Sequence, residues 1–234
     1  MDKEDLGPFV KGLWQKRTSK ALRPGVWSLV FWLILFTILV LPYFENDLPH
    51  KPSLAITIVN LILISAILWK VSVNRLQFIV GLCIGLPVLF MHWLPFTKTT
   101  AVITLTLAFL LYLYAMLLII ALLARARTIT LEHVFASASL YLLLGIFWTN
   151  AYILLEISDT SSFSFRGEDF RMGWLDGLYY SFTTLTTTGY GDITAVSPFA
   201  RTFSIVEAVS GVLFNVLILG RMIGLYVQAY DKKG

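Results

Sequence analysis

Seven consecutive residues, Thr186-Thr187-Thr188-Gly189-Tyr190-Gly191-Asp192, concentrate polar oxygen in an otherwise apolar neighbourhood. The run holds four hydroxyls, three from threonine and one from tyrosine, two glycines one residue apart and a carboxylate, with no cysteine, histidine or lysine among them. Such a set suits oxygen coordination of a cation better than nucleophilic or acid–base catalysis. Glycine takes positive φ without steric cost, so Gly189 and Gly191 allow successive carbonyls to be turned toward one axis. A second residue stands out. Glu207 is the only charge between Arg201 and Arg221, and at ~1.5 Å per residue it sits about 9 Å along a helix from Arg201. An ionisable side chain inside an apolar segment is a functional candidate by default. Thr183, Thr184 and Tyr180 are the expected donors to it, and a protonated, purely structural carboxyl is the alternative. No hydrolase, nucleotide-binding or metal-enzyme motif occurs.

The elements that must position these residues follow from composition. Of 234 residues, 57% are hydrophobic and 14% charged, against about 25% charged in a soluble domain. Mean hydropathy is +0.77. One soluble domain and a disordered chain are both excluded. The single cysteine, Cys83, excludes a disulfide-stapled secreted fold. A membrane helix needs about 20 mostly apolar residues. Six charge-poor stretches qualify: 24–44, 52–69, 76–97, 99–124, 133–155 and 202–220. The uncharged stretch 177–191 is too short and too rich in threonine to cross, and reads as re-entrant. Overlapping its start, residues 174–186 are expected to form a short re-entrant helix with Asp176 at its positive end. The fold class is therefore an all-α membrane protein: six transmembrane helices plus a short re-entrant helix.

Orientation follows from the cationic residues. With the N-terminus inside, Lys3, Lys11, Lys16, Arg17, Lys20, Arg23, Lys70, Arg75, Arg125, Arg127, Arg221, Lys232 and Lys233 are cytoplasmic, and Lys51, Lys98, Arg166, Arg171 and Arg201 are outside. Both termini are expected in the cytoplasm of a multi-pass plasma membrane protein. The formal charge of +4 is this topological signal and needs no nucleic acid. The first apolar run is long and lacks a cleavage site, so it is not a signal peptide; Pro24 suits its first turn and Pro42 its end. Three segments result: 1–23, an interfacial helix or a solvated basic tail; 24–128, a four-helix membrane domain; and 129–234, two spans with the re-entrant helix between them. No cytoplasmic domain is expected after Arg221.

The run 186–192 resembles the selectivity filter of potassium channels of the voltage-gated-like superfamily, whose pattern T-x-G-Y-G is commonly followed by Asp. Thr187, Gly189, Tyr190, Gly191 and Asp192 match; Thr188 stands where Val or Ile is more usual. The resemblance implies a prokaryotic-type, six-helix, single-pore subunit of the inner membrane. In it the backbone carbonyls of Thr187, Thr188, Gly189 and Tyr190, with the Thr187 hydroxyl, replace the hydration shell of K⁺. One filter per chain implies a homotetramer, unlike two-pore-domain channels. By position relative to Asp192, Gly211 falls on the gating-hinge glycine, with close helix packing as the alternative. Asn215, one turn on, would face the cavity or bond a neighbouring helix. Tyr179 stands where relatives carry Trp and would bond Asp192. Tyr179, Asp192 and Glu207 are thus the expected supports of the filter. K⁺ is the permeant species and no cofactor is implied. Lipids are partners, and a separate regulatory subunit is compatible with the missing cytoplasmic domain. A weakly selective cation channel, a K⁺-transporter subunit and a non-conducting receptor are the other readings.

The remaining polar residues are weaker signals. His50, His92 and His133 lack ligand spacing, Cys83 reads as packed, and Trp27, Trp69, Trp93 and Trp174 lie near expected membrane edges. Glu156, Asp159, Glu168, Asp169 and Asp176 could concentrate cations at an outer mouth. Four helices before the pore match voltage-gated architecture, but 99–124 has no Lys or Arg. Each sensor charge is worth about 2.3 kcal/mol per 100 mV. The expected outcome is weak or no intrinsic voltage sensing: patch-clamp recording should find no gating current, and a steep voltage dependence would contradict this.

Overall fold

The computed structural model describes residues 25–40, 65, 67, 75–91, 94–95, 97–126, 129–222, 224 and 227. The segment 1–23, nearly all of 52–69, Pro24, Pro42, His50, Trp69, His92, Trp93, Arg127 and the tail beyond 227 lie outside them. In chain order the described elements are α1 (Val26–Leu39), α2 (Arg75–Met91), α3 (Lys98–Ala124), α4 (Leu131–Ser158), β1 (Phe163–Phe165), β2 (Glu168–Asp169), α5 (Trp174–Leu185), β3 (Ile193–Ala195) and α6 (Pro198–Phe214). A π turn, Asn215–Leu219, continues α6. The helical path Pro198–Met222, with α3 and α4, makes three described helices long and apolar enough to cross a membrane. At ~1.5 Å per residue each exceeds the roughly 30 Å hydrocarbon layer. α1 and α2 are apolar but shorter.

Local chemistry sets the helix boundaries. Thr97 caps α3 by accepting from Thr100 N–H, while Thr97 N–H donates to the Thr100 hydroxyl. Thr130 begins α4, its N–H donating to His133 Nδ1 and its hydroxyl 2.8 Å from the same nitrogen. His133 is thus a helix-capping residue. Ser197 caps α6 through Ala200 N–H, with Pro198 in the first turn, where its missing donor costs nothing.

Long-range capping binds the elements together. Glu132, in the first turn of α4, accepts from Gly25 N–H and Trp27 N–H, both at 2.8 Å. A carboxylate at the start of α1 suits the positive helix end and satisfies amides that helix geometry leaves without partners. At the same end of α4, Arg221 Nη2 donates to the carbonyls of Ala124 and Ala126, at 2.7 and 3.1 Å. A cation thereby closes the negative end of α3. α3 also meets α2 through the Tyr114 hydroxyl, which donates to the Gln77 carbonyl at 2.9 Å.

The buried core runs along α4 and joins α1, α3 and α5. Small residues permit the closest approaches. A Cβ added at Gly145 of α4 would lie 2.5 Å from the Phe182 ring, and one at Gly177 of α5 would lie 3.0 Å from Ile153. Tyr152, Phe163 and Tyr180 form a three-way edge-to-face cluster, with centroids 5.0 to 5.6 Å apart. Such pairs add about 0.5–1.5 kcal/mol each beyond area burial.

The fold is mostly, not wholly, helical. The loop after α4 forms a three-stranded antiparallel sheet ordered β2-β1-β3. Arg166 and Gly167 both have positive φ, 52° and 86°, the signature of a two-residue type I′ hairpin. Strands of two and three residues leave too little periodicity to read from sequence. Two other expectations need correction. Glu156 is buried, 1% exposed, so it cannot line an outer mouth, because it lies on the inner face of the last turn of α4. Cys83 is exposed, not packed, because it falls on the outer face of α2.

Replacing Glu132 with Ala removes the acceptor of two amides. It should cost about 1–3 kcal/mol, read as a lower thermal midpoint in detergent, with Glu132→Gln intermediate.

Candidate functional site

The segment 186–192 leaves α5 by a tight turn and reaches β3. Thr186 N–H and Thr187 N–H donate to the carbonyls of Phe182 and Thr184 at 3.1 and 2.9 Å. Thr188 N–H and Gly189 N–H both donate to the Thr183 carbonyl, at 2.8 and 3.0 Å. The last turn of α5 therefore has its end carbonyls satisfied by the residues that follow it, as helix termini require. At its start, Asp176 accepts from Gly173 N–H at 2.9 Å.

Backbone conformation then alternates. Thr187, Gly189 and Gly191 have φ of 59°, 53° and 78°, while Thr188 and Tyr190 do not enter positive φ. Glycine tolerates such values; Thr187, β-branched, does not do so freely. A non-glycine in this region marks a site the surroundings hold in place. Sequence reasoning had no signal for Thr187, since the demand was assigned to the glycines. The Thr186 and Thr188 hydroxyls meet at 2.9 Å.

The outer end of the run is anchored twice. The Tyr179 hydroxyl donates to Asp192 Oδ2 at 2.8 Å, and the Tyr179 ring lies parallel to Tyr190, with centroids 6.1 Å apart and planes 3° off. The Asp192 carbonyl accepts from Arg166 N–H at 2.7 Å. The sheet continues this hold through the pairs Phe163 with Ala195 and Phe165 with Ile193. Ser164 and Thr194 hydroxyls meet at 2.8 Å. The hydroxyl of Tyr179, foremost, holds the Asp192 carboxyl below its ordinary value, with Ile193 N–H and the Arg166 charge adding to this.

Behind the run, three helices converge. Glu207 of α6 is wholly buried. Its Oε2 accepts from the Tyr152 hydroxyl of α4, and its Oε1 lies 2.5 Å from Ser181 Oγ of α5. These are not the expected donors. The Thr183 hydroxyl turns back to the Tyr180 carbonyl, and the Tyr180 hydroxyl meets Ser204 Oγ at 2.7 Å. A helix presents one face to its neighbour, and Ser181 rather than Thr183 or Thr184 falls on the face turned to α6. Tyr152, 55 residues away, carried no local signal. Trp148 Nε1 reaches Ser210 Oγ at 3.3 Å, tying α4 to α6 once more.

α6 is helical without interruption through Gly211. A Cβ there would lie 2.2 Å from the Leu185 carbonyl oxygen, so this glycine has a packing reason: α6 approaches the end of α5 backbone to backbone. Asn215, exposed, opens the π turn, and the Tyr141 hydroxyl lies 3.4 Å from the Leu185 carbonyl. Gly220 and Gly224 meet nothing within 4 Å. Among the described residues no group of three or more His, Cys, Asp or Glu side chains could hold a metal ion; backbone and hydroxyl oxygens are the available ligands.

These features place a glycine-alternating turn between two helical paths, Leu131–Ser158 and Pro198–Met222, long and apolar enough to cross a membrane. Residues 129–228 match the family model described as "Ion channel". Three rice (Oryza sativa subsp. japonica) proteins are similar over this part. Potassium channel KAT1 is 39% identical over 69 residues, 30% of this chain and 10% of the relative. Potassium channel KAT2 is 34% identical over 65 residues, 28% of this chain and 11% of the relative. Potassium channel KOR2 is 30% identical over 74 residues, 32% of this chain and 10% of the relative. The chain thus spans about a tenth of the length of these relatives. Residues 129–228 thus resemble ion-channel proteins, and the relatives matched over this part are potassium channels.

Two variants probe the geometry. Tyr179→Phe removes the first cause of the low Asp192 value. Because a depressed carboxylate loses its charge as pH falls through that value, the acid-induced loss of current should move to higher external pH in the variant, measured in planar bilayers. Gly211→Ala forces a contact with the Leu185 carbonyl that neither backbone can relieve cheaply. It should lower thermal stability by about 1–3 kcal/mol, and an unchanged midpoint would contradict the packing role.

Proposed function

We propose that the protein conducts K⁺ passively and selectively through a homotetrameric pore. The observation that carries this reading is the alternation of positive φ at Thr187, Gly189 and Gly191, in a segment whose sequence matches a potassium filter. Turning successive residues this way aims the carbonyls of Thr187, Thr188, Gly189 and Tyr190 at one axis, where with the Thr187 hydroxyl they stand in for water around a dehydrated cation. Four copies close the ring. Tetramer formation is supported by α6, whose apolar side chains Phe199, Ile205, Val206, Val209, Leu213 and Val216 are exposed in the single chain. Tyr190, 72% exposed, would pack against a second copy.

In this reading Asp192, Tyr179 and Glu207 hold the filter. Gly211 is the gating hinge, and the π turn at Asn215–Leu219 offers a further place to bend, as such turns often do at functional sites. Asn215 faces the cavity. The protein sits in the plasma membrane, a prokaryotic inner membrane, crossing six times with both termini in the cytoplasm. Lipids surround it, a regulatory subunit can bind it, and neither nucleic acid nor a cofactor is needed. The absence of Lys and Arg from 99–124 supports weak voltage sensing.

Reconstitution in liposomes tests the function. A K⁺ gradient should drive flux that is lost or made unselective by Gly191→Asp, which burdens a positive-φ position with a charged side chain. Bi-ionic potentials separate this from the second reading, a weakly selective cation channel: the expected reversal potential strongly favours K⁺ over Na⁺, and equal permeabilities would overturn selectivity while preserving conduction.

A further inference from the structure

The contacts around Glu207 count out a proton. Ser181 Oγ lies 2.8 Å from the Gly145 carbonyl of α4 and 2.5 Å from Glu207 Oε1. A carbonyl only accepts, and a serine hydroxyl carries one hydrogen. Both contacts draw on that hydrogen, and the Gly145 carbonyl also accepts from the Thr149 hydroxyl at 2.8 Å; given to Gly145, it is not available to Glu207. The contact between Ser181 Oγ and Glu207 Oε1 then needs a hydrogen of its own, and only the carboxyl can supply it. The single hydrogen of Tyr152 already goes to Oε2. One proton on Glu207 therefore gives each of the three contacts one hydrogen. An ionised Glu207, acceptor only, leaves Ser181 with two acceptors and a single hydrogen, in a site with no exposure to water, where an unmade bond is costly.

The same construction occurs nearby. Ser204 Oγ donates to the Ala200 carbonyl at 2.8 Å, and the Tyr180 hydroxyl meets that oxygen at 2.7 Å. There the serine gives its hydrogen to a backbone carbonyl and receives one from a side chain. At Ser181 the side chain in the giving role is a carboxyl. The titratable groups facing Glu207 are Tyr141 and Tyr152 of α4 and Tyr180 of α5. Among the described residues no lysine, arginine or histidine packs against it to stabilise a carboxylate.

We infer that Glu207 is a positioning residue that works as a neutral carboxylic acid, donating its proton to Ser181 and accepting from Tyr152. It thereby fixes α5 between α4 and α6 and, through α5, the segment 186–192. Ser181 is its partner in that role. This deepens the reading of Glu207 as a filter support and rests on it.

Infrared spectroscopy of the full-length channel in liposomes tests the proton directly. The wild-type minus Glu207→Gln difference spectrum should contain the C=O stretch of a protonated carboxyl. Its absence would overturn the inference. In bilayer recordings Glu207→Gln, whose amide can donate to Ser181 and accept from Tyr152, should inactivate at close to the wild-type rate. Glu207→Ala and Ser181→Ala should inactivate on the order of tenfold faster, as loss of one buried hydrogen bond implies. A Gln variant as fast as the Ala variant would also overturn the neutral-acid role. An Ala variant that inactivates at the wild-type rate, with the infrared band present, would instead remove the filter-support reading on which the role depends.

Discussion

Backbone that leaves the helix at membrane depth must find every hydrogen-bond partner within protein. That constraint organises the C-terminal half of this chain. The turn at 186–192 leaves α5, and the amides of Thr186, Thr187, Thr188 and Gly189 are answered by the carbonyls of Phe182, Thr183 and Thr184. Its outer end is answered by Tyr179 and by the sheet that meets Asp192. α5 can serve this turn only if α5 itself is held. Gly145 and Gly177 let it sink against α4, Gly211 lets α6 reach its last carbonyl, and Tyr152, Ser181 and Glu207 join the three helices where they meet. Each device either removes a side chain where backbones approach or supplies a hydrogen bond where water is excluded.

The end at which α4 begins follows the same logic with charge instead of proximity. Glu132 answers the amides that begin α1, and Arg221 answers the carbonyls that end α3. Glu132 belongs to α4 and Arg221 follows α6, so the start of α1 and the end of α3 are each completed by a group from the C-terminal helices. An anion at a helix start and a cation at a helix end are each favoured by the helix dipole. The two contacts make α4 and α6 participants in the peripheral fold, not merely neighbours of it.

Much of this was legible in the sequence, and the rest was missed for identifiable reasons. Gaps between charges located α3, α4 and α6, because scarcity of charge is what a hydrocarbon solvent demands. The chemistry of 186–192 and the oddity of Glu207 were visible because both break the surrounding pattern. The partners of Glu207 were not, since Tyr152 and Ser181 are remote in sequence and their choice depends on which faces of three helices meet. Glu132 reaches amides 107 and 105 residues away, beyond any local motif. Glu156 looked like a loop acid because a charge usually ends a span; here α4 runs past it and turns it inward. The small sheet escaped because two- and three-residue strands show no alternation.

The connection between α3 and α4 has a further consequence. Only residues 125–130 separate the two helices, a tether of at most about 21 Å at ~3.5 Å per residue. α4 therefore receives α3 from its own chain, and α1 docks on the same helix through Glu132. α1 and α3 are thus seated on α4 as soon as one polypeptide has folded, so their placement needs no contact from outside the chain.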